Sequence, residues 1–263
     1  MATLIRSSKS GSSWSRNELF AFNIVVIPVD TVTFFGSEQL PPPSIPNSIL
    51  INEIPSGQLT KDETNFFKYL ALANSNNEES AVDDFATHLL RLMNYDDGGW
   101  LLRTKKEMGF YMGGQMVDAK ADVSIMNGQY YILVAQEDKR FGTLEDPEAQ
   151  VIAECIAAFA YNQMLRQKTP GAAQVKSETI SAITMVGTTA TFYRVNVTQS
   201  LLDSLVTLSY PAEETVVMRY MPPVPEPQRY PDEGMAPLGN RCVVLQCFEA
   251  FKQSMAMSTG GSS

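Results

Sequence analysis

Residues 118–139 read DAKADVSIMNGQYYILVAQEDK, and their pattern decides the fold class. Two strand-like stretches, 118–125 and 129–139, flank Asn127-Gly128, a dipeptide that tolerates the positive φ angles of a tight hairpin turn. Two antiparallel strands are expected. The second carries the apolar run from Tyr131 to Ala135, as an interior strand would, and then turns polar at Gln136, Glu137, Asp138 and Lys139. Side chains at i and i+2 of a strand share a face, so Glu137 and Lys139 are expected to point one way and Asp138 the other. Asp122 stands in the first strand, and pairing is expected to bring it beside them.

Working outward, residues 78–94 place Val82, Phe85, Ala86, Leu89, Leu90 and Met93 at helical spacing on one face, behind an acidic first turn that suits the helix dipole. A shorter helix is expected at 60–72, with Phe66, Phe67, Leu70 and Ala71 inward and Thr60 and Asp62 as caps, and a strand at 100–110. Downstream, Asp146-Pro147-Glu148 opens a long helix to about residue 167, with Val151, Ile152, Cys155, Ile156 and Phe159 inward, ended by Pro170-Gly171. Residues 178–197 alternate around Gly187 as a hairpin, 199–208 read as a helix, and 242–253 as a strand or helix. Between them, residues 222–237 hold six prolines and no periodicity. Residues 18–35 read as one or two extended segments around Pro28, and PPPSIP at 41–46 as a polyproline-like passage. The Ser-rich residues 1–17 and the end of the chain, 254–263, are expected to be mobile, leaving a single domain over 18–253.

Two carboxylates and an ammonium converging at a strand end make a recognisable chemical device. Carboxylate oxygens are the ligands that hard Mg²⁺ (or Mn²⁺) prefers, and a lysine beside them positions or activates a water and offsets charge at phosphorus. Asp122 and Glu137 are the expected metal ligands, with the Asp138 peptide carbonyl as a further oxygen donor, and Lys139 is expected at the attacking water. The chemistry is phosphodiester hydrolysis. The bland competitor is a surface ion pair, which contributes only about 0–1 kcal/mol. His88 is the only histidine, so Ser-His, Cys-His and multi-histidine zinc chemistry are excluded. Gly98-Gly99 and Gly113-Gly114 lack the spacing of phosphate-binding loops.

Asp122 followed fifteen residues later by Glu137-Asp138-Lys139 resembles the D…(D/E)xK signature of the PD-(D/E)xK, or restriction-endonuclease-like, superfamily. The likeness covers about residues 78–200, in the family's order of helix, strand hairpin and following helix. It implies an α/β (α+β) fold with a central mixed sheet flanked by helices, here with N- and C-terminal extensions. It also implies an acidic residue on the preceding helix, for which Glu79 matches best and Glu78 and Asp83 compete. The following helix often adds a polar residue in this family, and Gln150 and Glu154, one turn apart, stand in that place; a solvated helix stripe is the alternative. The family's proline before its first Asp is replaced by Ala121. A second likeness, through VAQEDKR, DPEAQVIAECIAAF, TFYRV and NRCVVLQCFEAFK, is to uncharacterised proteins of mushroom-forming fungi; it implies one unit over the whole chain and carries no function.

Composition sets the outer bounds. With 44% hydrophobic and 19% charged residues over 263 positions, the chain is an ordinary globular sequence. Its net charge of -9 opposes long-range attraction to nucleic acid, so any nucleic-acid contact is expected through a local basic groove, with Arg103, Lys105 and Lys106, and Lys139 and Arg140, as the nearby cations. Cys155, Cys242 and Cys247 are expected to be free buried thiols in an intracellular, cytoplasmic or nuclear, protein. The start of the chain lacks an apolar leader and no stretch is long enough to span a bilayer, so no membrane association is expected. Two functions follow: a Mg²⁺-dependent nuclease, or a catalytically inactive nuclease-fold protein that binds a protein partner through its acidic and Pro-rich surface.

Overall fold

The expected hairpin forms with its turn one residue later, at Gly128 and Gln129, because Asn127 still pairs with Tyr130; Gly128 takes φ 60°, and the strands pair antiparallel from Asn127↔Tyr130 to Val123↔Ala135. The computed structural model describes residues 6–75, 79–138 and 146–260, the side chains of 79, 136–138 and 258–260 left aside. In chain order the elements are α1 (Arg16–Ala21), β1 (Ile24–Pro28), α2 (Thr31–Phe35), α3 (Asn47–Ile51), α4 (Lys61–Ser75), α5 (Glu79–Leu92), β2 (Trp100–Met112), β3 (Gln115–Asn127), β4 (Tyr130–Asp138), α6 (Pro147–Lys168), β5 (Ser177–Val186), β6 (Thr189–Thr198), α7 (Gln199–Thr207), β7 (Thr215–Tyr220), α8 (Tyr230–Glu233) and α9 (Leu238–Gly260). The strands form one seven-stranded sheet in the order β1-β7-β6-β5-β4-β3-β2. It is mixed: β1 with β7 and β4 with β5 run parallel, and the other neighbours antiparallel.

Helices cover both faces. Phe66, Leu70, Phe85, Leu89, Phe248 and Phe251, from α4, α5 and α9, pack against Leu133, Ala135, Ile183 and Phe192 of the sheet. On the other face, α6 lies on Val134, Ala182, Tyr193 and Val195, joined by Leu201 and Leu205 of α7. Every residue of α6 from Ala149 to Phe159 is buried, Gln150 and Glu154 included. A helix enclosed on all sides matches an apolar sequence with little amphipathic contrast. Asn162, fully buried, fixes its position along β4: its Oδ1 accepts from the Tyr131 N–H at 2.8 Å and its Nδ2 donates to the Tyr131 carbonyl at 2.9 Å.

Three expectations are corrected. The N-terminal stretch expected as a mobile tail packs into the core over residues 11–17. Trp14 is 1% exposed and stacks on Phe22 with its face edge-on to Phe110, and Gly11 lies so close to Ala119 and Ala153 that a side chain there would collide with Ala119. The Ser15-Arg16-Asn17-Glu18 run is a capping box, satisfied in both directions, that opens α1. Residues 18–35, expected as extended, are helix, strand and helix, because Asp30 caps α2 through the Thr33 N–H and Gly36 closes it at φ 79°. At the other end α9 runs to Gly260 with Met255 buried, past the expected boundary at 253.

Candidate metal centre

Asp122 sits at the level where β2 and β3 change the layer they face. Val117, Ala119 and Ala121 belong to the α6 side, whereas Val123 and Ile125 belong to the α5 side. Strict alternation would keep all five together. On β2 the same exchange separates Leu102 from Met108, Phe110 and Met112. Between them lies Lys105 at φ 50°, in the gap between the pairs Thr104↔Val123 and Lys106↔Ala121 that brackets Asp122. A left-handed residue without glycine's freedom costs roughly 1 kcal/mol or more, and such strain is commonly kept where it re-aims side chains. Beyond the twist, the hairpin curls over α6 and carries Asp122 to Glu154.

Glu154 is 3% exposed, and its Oε2 has no hydrogen-bond partner among the described residues. Burial pushes its carboxyl well above the usual carboxylate range, and the negative charge of Asp122 pushes the same way. The buried Glu154 carboxyl thus lies within the field of the half-buried Asp122. The alternative of a solvated stripe is corrected for both helix residues: Gln150 is 5% exposed, and its Nε2 donates to the Ser12 carbonyl at 2.9 Å, tying the N-terminal segment to α6. Gln150 therefore has a structural bond, whereas Glu154 has none among the described residues and feels the charge of Asp122.

The β4 register brings Glu137 to the same end of the sheet. Glu137 pairs with Met185 of β5, two residues beyond the β3–β4 pair Val123↔Ala135, and Asp122 stands one residue beyond that pair on β3. The Glu137 side chain and all of Lys139 and Arg140 lie outside the described residues, as do Glu78 and the Glu79 side chain. Among the acids of α5, Asp83 is the one that the described geometry carries to this level: its Oδ2 is 3.6 Å from Nζ of Lys105. Arg103 and Lys105 are exposed on β2, the outer strand of the sheet, where charge also discourages pairing with another chain.

The remaining reactive groups are occupied or inert. His88 Nε2 lies 3.0 Å from the Asp62 carbonyl. Burial, and then Glu154, raise the Cys155 thiol far above its ordinary value, and burial takes Cys247 up to about 12. Neither is a nucleophile at neutral pH.

Among the described residues no group of three or more His, Cys, Asp or Glu side chains is placed to hold a metal ion. The donors that are described nevertheless suit one. A buried carboxylate oxygen with no partner, beside a second carboxylate, is the electrostatic setting that a hard divalent cation relieves. No helix among the described residues is long and apolar enough to cross a membrane. No family model matches the chain, and no curated protein matches it.

Proposed function

We propose that the chain is a divalent-metal-dependent nuclease of the PD-(D/E)xK type, cleaving phosphodiester bonds at the C-terminal end of β4. Glu154 carries the reading: a buried carboxyl within the electrostatic field of Asp122, with an oxygen that has no hydrogen-bond partner among the described residues. The order of α5, the β3–β4 hairpin and α6 supports the reading, since the sequence likeness implies a helix, a strand hairpin and a following helix in that order.

In this reading Asp122 and Glu137 hold the cation, Glu154 joins them from α6, and Glu79 or Asp83 supplies an outer acid from α5. Mg²⁺ or Mn²⁺, when bound, supplies Lewis-acid polarisation of the phosphate and a more acidic water. Lys139 holds the attacking water at its Nζ and offsets charge at the phosphorus centre. Glu154, whose ionised form is disfavoured by burial and by Asp122, would be a carboxylate when it holds the cation. Arg103 and Lys105 stand on the open strand beside the site and contact the substrate backbone, giving the local positive charge that the molecule as a whole lacks.

The test is cleavage of single- and double-stranded DNA and RNA with Mg²⁺ or Mn²⁺ by wild type, Lys139→Ala and Glu137→Ala. Loss of at least about 100-fold in both variants is expected, the scale on which groups acting at the reacting atoms are felt. Cleavage by both variants at the wild-type rate would refute the assignment.

One observation favours the second function, an interaction module of the same fold. A groove of about 530 Å³ between the β2–β3 hairpin, α6 and α7 gathers the exposed side chains Tyr111, Met116, Met164 and Val206. Its lining includes Glu107, Asp118 and Asp203 and, among the described residues, neither lysine nor arginine. An apolar floor with an acidic rim suits a basic, amphipathic protein segment. Under this reading Met164→Glu abolishes partner binding in a pull-down with such a segment, and unchanged binding would exclude the groove.

A further inference from the structure

Arg194 of β6 is a guanidinium without a counter-ion. No hydrogen bond or ion pair joins it to any described group, and its one specific contact is with the ring of Phe34, over which its Cζ lies 4.9 Å from the centroid. It is half-buried, and burial alone lowers its proton affinity with no acid acting to restore it. In a chain of net charge -9 this isolation is unusual. Arginines removed from water are ordinarily paired, and a guanidinium stacked on an aromatic face keeps its donor edge free for a planar or tetrahedral anion.

The surroundings of Arg194 form a site. It lines a cavity of about 460 Å³ with Thr179 and Ser181 of β5, whose hydroxyls also make no described hydrogen bond. Ser181 is the direct cross-strand partner of Arg194, and Thr179 follows at the alternate position, so all three share one face of the sheet. The one acid in the lining, Glu178, is engaged elsewhere: its Oε2 accepts from Arg166 Nη1 at 2.9 Å and its carboxylate from Asn162 Nδ2 at 3.3 Å. Ile132, Val175 and Met218 add apolar wall. The cavity opens toward the N-terminal end of β4, about 17 Å along the strand from Glu137 at ~3.4 Å per residue.

We infer that this cavity binds a small organic oxyanion, a carboxylate or a phosphate monoester, with its anionic head on Arg194, Ser181 and Thr179 and its apolar part against Ile132, Val175 and Met218. Charge-assisted bonds from a guanidinium held in place by stacking supply affinity, and the two hydroxyls complete the acceptor oxygens of either head group. The volume exceeds that of a bare inorganic anion and falls within the range of small-molecule sites.

The experiment is calorimetric titration of the full chain with phenyl phosphate and, separately, benzoate, at constant ionic strength set by chloride. Saturable one-site binding of at least one probe is expected, and the probe that binds names the head group. Asp122→Asn is expected to bind as wild type does, which separates this cavity from the proposed metal centre. Arg194→Met, which keeps the packing on Phe34, is expected to bind at least about tenfold more weakly, as is Ser181→Ala to a smaller degree. Absence of saturable binding of both probes, or wild-type affinity in Arg194→Met, would overturn the inference; should Arg194→Met fail to fold, undiminished binding by Ser181→Ala would do so.

Discussion

Glu154 links proton binding to folding in a direction opposite to that of most surface acids. Its folded-state proton affinity is raised by burial and then by Asp122, so the native state holds a proton that the unfolded chain releases above about pH 4.5. Stability from this group is therefore full below the unfolded value and declines as pH rises toward the folded one. Glu154→Gln, which imitates the protonated acid, is expected to raise the Tm at neutral pH and to flatten the decline that sets in above about pH 4.5; a lower Tm at neutral pH than wild type would contradict the placement of the carboxyl. At Asn162 the expectation runs the other way. Asn162→Ala strands a buried N–H and carbonyl of Tyr131, and a loss of about 2–3 kcal/mol is expected in urea unfolding.

Among the elements, the strongly periodic ones were legible in the sequence: α5, α6, the β3–β4 and β5–β6 hairpins and α7 all lie where spacing and turn residues put them. Other elements carry local signals that lie outside the periodicity. Ser15-Arg16-Asn17-Glu18 is a capping box in plain view, and the β-branched Thr215–Tyr220 stretch forms β7 between two loops. The exchange of faces at Asp122 had none, because it depends on Lys105 in a left-handed conformation that no glycine or asparagine announces. Burial of Glu154 was hidden for a related reason: helical spacing marks a polar residue as outward, but α6 has no outward side over its first half. The N-terminal segment should then matter to the site, since it covers that half. Trp14→Ala is expected to lower stability by about 3–5 kcal/mol, measured by denaturant unfolding. Gly234 holds the Pro-rich passage against the β5–β6 turn at φ 50°, where a Cβ would lie 2.2 Å from Thr188 Oγ1, and Thr188 in turn donates to Asn74 Oδ1. Gly234→Ala is expected to cost at least about 3 kcal/mol or to prevent folding, read by thermal melting.

For the whole molecule, charge decides how a substrate could arrive. A net charge of -9 repels nucleic acid over the screening length, so a local site must reverse the field before contact becomes favourable. Fluorescence anisotropy with labelled single-stranded DNA is expected to show weak binding in EDTA and at least about tenfold tighter binding with Ca²⁺, which occupies such sites; equal affinity under both conditions would separate nucleic-acid contact from the metal centre. Both faces of the sheet are covered by helices, and the buried Glu154 of α6 lies within the field of Asp122 on β3. The central claim is that this cluster holds a divalent cation. Titration calorimetry with Mn²⁺ at neutral pH, in two buffers of different ionisation enthalpy, tests it directly. One saturable site with net proton release is predicted for wild type, with affinity reduced at least about tenfold in Asp122→Asn and with the proton release lost in Glu154→Gln. Heats that never saturate, or wild-type Mn²⁺ affinity in Asp122→Asn, would contradict the account.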